Sequence, residues 1–137
     1  MPITDAMRAR HVVRQYLSTP LPDDVVAALR SRIEDNNRAH GTDIRLVTGD
    51  ARVFGPLWGT VRARSVRNCL VMSGPDAPDL DERLGYGGAD LMLAAQDLGL
   101  NTWWIGGTFS KRAAARVSGA TGRIVAVVAL GYGATQG

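Results

Sequence analysis

One cysteine in 137 residues leaves no intrachain disulfide to form, so stability must come from the core and its hydrogen bonds. Cys69 sits among Asn68, Leu70, Val71 and Met72, an apolar strand-like setting in which a free cysteine acts as a small buried hydrophobe. Histidine is equally sparse. His11 and His40 lie far apart, and neither has a cysteine or carboxylate at metal-ligand spacing, which argues against a zinc or iron centre. No apolar run approaches the ~20 residues of a membrane span, and the opening MPITDAMRAR lacks the apolar stretch of a signal peptide. The expected location is the cytoplasm.

Lysine is nearly missing too: Lys111 is the only one among 16 basic residues, and the net charge is +3. Arginine forks suit phosphate oxygens, yet these arginines are spread along the whole chain. The densest group, Arg62, Arg64 and Arg67 near Trp58, invites a nucleic-acid reading, but no recognition motif accompanies it. Nucleic acid is therefore not an expected partner. Other familiar catalytic frames are absent as well. Gly85, Gly87 and Gly88 follow acidic residues and not a strand, while Gly131, Gly133 and Gly137 open no helix, so neither group is a dinucleotide loop. There is no Walker loop, no nucleophile elbow, and no serine, histidine and carboxylate set for acyl transfer.

What is present centres on Leu84 to Phe109. Leu84, Gly88, Leu91, Ala94, Ala95 and Leu98 recur at three- and four-residue spacing, the mark of one buried helix face. Asp79, Asp81 and Glu82 place negative charge on the first turn, and Gly99 stops the helix. Three glycines inside a helix cost roughly 1 kcal/mol each against alanine, which predicts close packing of another backbone there. Thr102 to Ile105 is β-branched and aromatic and reads as a short strand, closed by Gly106 and Gly107.

Around this centre the chain reads as a single domain, 1–137, long enough for one core. Thr4 to Arg10 reads as a short amphipathic helix. Pro22, Asp23 and Asp24 begin a second, with Val25, Val26, Leu29 and Ile33 as its buried stripe and Asn36 and Asn37 at its end. Asp43 to Thr48 and Asn68 to Ser73 read as strands, and the segment around Phe54, Leu57 and Trp58 as irregular. Lys111 to Val117 reads as a small-residue helix and Ile124 to Leu130 as a strand apolar enough to be covered on both faces.

These residues, in this order, resemble the flavin-dependent nitroreductase superfamily. The turn Leu98, Gly99, Leu100, Asn101, Thr102, the loop Ile105, Gly106, Gly107, and the early run Arg10, His11, Val12, Val13, Arg14, Tyr16 each match a family hallmark. So does the strand Ile124 to Leu130 with Gly131, Tyr132 and Gly133, which is similar to small family members with a GYGATQG-like ending. The resemblance implies an α+β nitroreductase-like α/β sandwich, a central mixed sheet flanked by helices. It implies FMN as cofactor, NADH or NADPH as electron donor, and a small nitroaromatic, quinone or similar acceptor. Arg10, His11 and Arg14 would anchor the FMN phosphate or ribityl chain, and Ile105, Gly106 and Gly107 would face the ring. Taken alone, RHVVR also reads as a solvated basic turn. A homodimer with flavin held between subunits is the implied assembly.

The departures are specific. Val12 stands where the family usually has serine, and Asn36 to Thr42 lacks the amide cluster that bonds the flavin ring. The chain ends at GYGATQG, where the resemblance implies a further basic segment, so the expectation is either a natural short form or a fragment that lacks the C-terminal segment. A flavin-free binding or assembly module is the alternative function. No side-chain acid or base is required for hydride transfer through a flavin, so no catalytic residue is named.

Overall fold

The first helix among the described residues, α1 (Asp23–His40), starts where Pro22 fixes an extended entry at φ −60 and ψ 152, with Asp23 and Asp24 on its first turn. Its buried face is Val25, Leu29, Ile33 and Asn36, as the spacing predicts. It runs past the two asparagines to a left-handed Gly41 at φ 65, whose N–H donates to the Asn37 carbonyl. The expected end at Asn36 and Asn37 is therefore early. Both side chains have partners outside the helix that the sequence does not show: Asn36 donates to Asp90 as well as to the Arg32 carbonyl of its own helix, while Asn37 donates to the Ile44 carbonyl and accepts from Thr42 and the Ile44 N–H.

This computed structural model describes residues 19–49, 67–107 and 109–132. The expected helix at Thr4 to Arg10, the segment around Trp58, Arg62 and Arg64, and the ending Gly133 to Gly137 lie outside them. Within them the strands are β1 (Arg45–Val47), β2 (Asn68–Gly74), β3 (Asn101–Ile105) and β4 (Arg123–Gly131), in spatial order β1-β2-β4-β3. The helices α2 (Leu80–Asp97) and α3 (Lys111–Ser118) complete the α+β architecture.

Where a mixed sheet was expected, every described pairing is antiparallel. The reason is topological. β2 and β3 run the same way and are joined by α2, as a crossover unit would be, but β4 inserts between them and turns both contacts antiparallel. The sheet's two faces then follow from alternation. Leu70, Met72, Ala126, Val128 and Leu130 pack under α1 and α2, while Cys69, Val71, Val127 and Ala129 join Ile105 and Ala114 on the opposite side. Cys69 is fully buried there, matching its expected packing role.

The seating of α2 decides where the candidate loop falls. Arg83 pairs with Asp79 and Arg123 with Asp76 and Asp81, which ties the helix start to the start of β4. At the other end Leu100 N–H donates to the Ala95 carbonyl and Gly99 N–H to that of Gln96, with Gly99 at φ 84, a Schellman stop that aims the chain into β3. The internal glycines answer to side chains, not to another backbone as their sequence suggested. A Cβ at Gly87 would lie 3.3 Å from Ile44, and one at Gly88 only 2.8 Å from the Trp104 ring and 3.1 Å from Met72; Gly85 faces open space among the described residues.

Across from the sheet, Asp90 joins α2 to α1: Arg32 meets it with two bonds of 2.7 Å, and Asn36 adds a third of 2.7 Å. The Arg32 guanidinium bond holds the Asp90 carboxyl below the usual aspartate range, aided by the Asn36 amide and opposed by burial. A depressed folded pKa stabilises above the unfolded value, ~3.9, and that stability is lost as pH falls. With Arg32 and Asp90 side chains 53% and 36% exposed, solvent screening limits the gain to about 1 kcal/mol or less. Asp90→Asn should therefore lower stability to urea at pH 7, and the gap to wild type should close as pH falls below about 4. The glycines give an opposed pair: Gly85→Ala should gain up to about 1 kcal/mol from helix propensity. Gly88→Ala should lose about 1–2 kcal/mol, because its methyl overlaps a packed ring. Urea midpoints of the two variants check both signs.

Candidate functional site

Among the described strands β3 lies at the edge of the sheet, and its register against β4 sets the directions of its side chains. Trp103 and Ile105 turn to the α3 side, where Phe109 also packs; Trp104 turns to the α2 side and lies over Gly88. The two adjacent tryptophans are thus split between the faces, as alternation requires. Thr102 shares a face with its partner Leu130, is 2% exposed, and its hydroxyl has no hydrogen-bond partner among the described residues.

Beyond Ile105 the chain leaves the sheet as Gly106 and Gly107, both exposed. Neither has the positive φ that makes glycine obligatory. Neither is forced by packing either: a Cβ at Gly107 would meet nothing within 4 Å among the described residues, and one at Gly106 only the Trp104 Nε1 at 3.9 Å. Backbone stripped of side chains and facing open space is what a flat ligand needs in order to lie against main-chain N–H groups. The loop is held at both ends. On one side Ile105, 3% exposed, sits in the core and pairs with Val127. On the other, Ser110 caps α3 by accepting the Ala113 N–H at 3.1 Å. The first turn of α3 carries Lys111 and Arg112 and no acid, so this end of the loop is positive.

Of the six expected site residues, Ile105, Gly106 and Gly107 are brought together on this loop. Arg10, His11 and Arg14 lie outside the described residues. Arg67, the described member of the basic cluster, is exposed. Two open hollows, about 320 Å³ beside Arg45 and Ser118 and about 570 Å³ around His40 and Tyr86, include no residue of the loop. The feature that sequence reasoning missed is the Trp104 ring seated on Gly88. A glycine in the buried stripe was its only trace.

A family model described as "Putative TM nitroreductase" matches residues 2–137. No curated protein matches the sequence. Among solved structures, a nitroreductase family protein from Clostridium difficile 630 superposes with TM-score 0.74 at 14% identity, over 98% of this chain and 86% of that one. A structure described as a putative nitroreductase in complex with FMN, from Desulfovibrio desulfuricans, gives 0.73 at 19% identity, over 100% and 89%. The FMN-dependent nitroreductase NfnB from Mycobacterium smegmatis, in complex with NADPH, gives 0.73 at 12% identity, over 97% and 90%. At these identities the likeness is one of fold.

The open space before Gly107 has a direct consequence. Gly107→Ala should fold with stability within about 0.5 kcal/mol of wild type in urea, since the methyl meets no described neighbour; a loss of several kcal/mol would mean that the space is filled.

Proposed function

The chain belongs to the nitroreductase family, and on that premise we propose that it is an FMN-dependent oxidoreductase. It takes electrons from NADH or NADPH and passes them to a small nitroaromatic, quinone or similar acceptor. The single observation that carries this reading is a family match that extends over nearly the whole chain. The glycine loop supports it, because the residues present fit a flat ring laid against backbone. FMN, when bound, supplies the hydride chemistry itself.

The protein's part is placement. Gly106 and Gly107 offer main-chain N–H donors with no side chain in the way, and Ile105 fixes their height by anchoring the strand in the core. Arg10, His11 and Arg14 supply charge-assisted donors for the phosphate or ribityl chain. Two subunits complete each site in a homodimer. Among the described residues no helix is long and apolar enough to cross a membrane.

One observation favours the alternative, a flavin-free binding or assembly module. Asn36 and Asn37 lie in the stretch where amides facing the ring are expected, and both spend their side chains inside the protein. The double variant Arg10→Ala, Arg14→Ala decides the anchor. With two charge-assisted contacts removed, its dissociation constant for FMN should rise by about a hundredfold or more while its urea midpoint stays near wild type. Equal FMN content in variant and wild type overturns the assignment.

A further inference from the structure

Trp104 combines three properties that core tryptophans do not share. It is 37% exposed on an edge strand, one of two large hydrophobic side chains so open among the described residues. Its ring is nevertheless fixed, pressed on the α2 backbone at Gly88 and beside Met72. Its Nε1 is the atom nearest the vacant Cβ position of Gly106, at 3.9 Å, and that N–H has no hydrogen-bond partner among the described residues. An indole N–H normally finds an acceptor when its ring is packed. Here a donor whose ring is seated on Gly88 lies beside the exposed glycine loop, with its bonding capacity unspent among the described residues.

We propose that the Trp104 indole N–H is a ligand-facing donor beside this loop, and that it bonds an oxygen carried by a planar ring lying over Gly106 and Gly107. The inference rests on the flavin reading of the loop. Two rings could bring such an oxygen there, the FMN ring itself or the acceptor, and both are met by the same chemistry: a carbonyl or nitro oxygen in the ring plane. The seat on Gly88 matters because it fixes the donor before the ligand arrives, so little ordering entropy is spent on binding. Trp103 does not share this role, since it turns to the other face of the strand.

The test uses the intact chain labelled with ¹⁵N, in which the three tryptophans give three indole signals. The Trp104 signal is identified by its loss in Trp104→Phe, or by exclusion from Trp58→Phe and Trp103→Phe if that variant does not fold. Titration with FMN is expected to shift this signal downfield and slow its exchange with water if the oxygen belongs to the flavin. If the oxygen belongs to the acceptor, both changes appear only when menadione, a soluble quinone, is added to FMN-loaded protein. Trp104→Phe, which keeps the ring on Gly88 and removes the N–H, should correspondingly raise either the dissociation constant for FMN or the KM for menadione about fivefold, the other constant staying unchanged. A wild-type protein that binds FMN while the Trp104 signal and both constants stay put overturns this proposal alone. A wild-type protein that binds no FMN overturns it together with the flavin reading.

Discussion

The distance between α2 and the sheet is the constraint on which the rest of this structure depends. Two consecutive glycines, Gly87 and Gly88, let Ile44, Met72 and the Trp104 ring lie directly on the helix backbone. The helix pays for them in propensity, roughly 1 kcal/mol apiece, and regains it through the contacts they admit. Leu80, Leu84 and Leu91 then reach the sheet fully buried. Burying each such leucine is worth about 1.5–3 kcal/mol against exposure, which is enough to hold the helix down.

From that seat the position of the candidate loop follows without further adjustment. α2 ends at the left-handed Gly99, the chain turns into β3, and the pairing of Asn101–Ile105 with β4 leaves residues 106–109, with Gly106 and Gly107 first, before Ser110 caps α3. A strand fixed in the core and a capped helix hold the two ends, while the backbone at Gly106 and Gly107 carries no side chain. Support from rigid elements with an open middle is the arrangement a binding loop needs. The inserted β4 contributes as well, because it carries the pairing that keeps β3 straight to its last residue.

Much of the fold could be read from the sequence because it is written in local signals. The three- and four-residue spacing of Leu84, Gly88, Leu91, Ala95 and Leu98, the acids ahead of the helix and the glycine after it mark α2 almost to its observed ends. The order of helices and strands follows from similar marks. Asn36 and Asn37 misled because asparagine often ends a helix, whereas here both amides reach partners outside it, Asp90 and Ile44, and the one backbone bond, Asn36 to the Arg32 carbonyl, is compatible with the helix. The mixed sheet was a nonlocal error of the same kind: a strand, helix and strand unit suggests parallel neighbours, and nothing local shows that β4 will come between them. At the loop, the glycine pair that closes the strand, both residues of it exposed, was legible. The Trp104 donor was not, since its direction depends on register against β4 and its support on a residue sixteen positions away.

The central claim is that this chain holds FMN, and the absorbance spectrum of the purified protein tests it most directly. FMN is added in excess, free cofactor is removed, and the spectrum is read before and after adding NADH and, separately, NADPH. A flavin band near ~450 nm that stays with the protein and bleaches with one of the donors is the expected result. A protein that emerges colourless after saturation with FMN would contradict the claim and leave the fold to a flavin-free binding role.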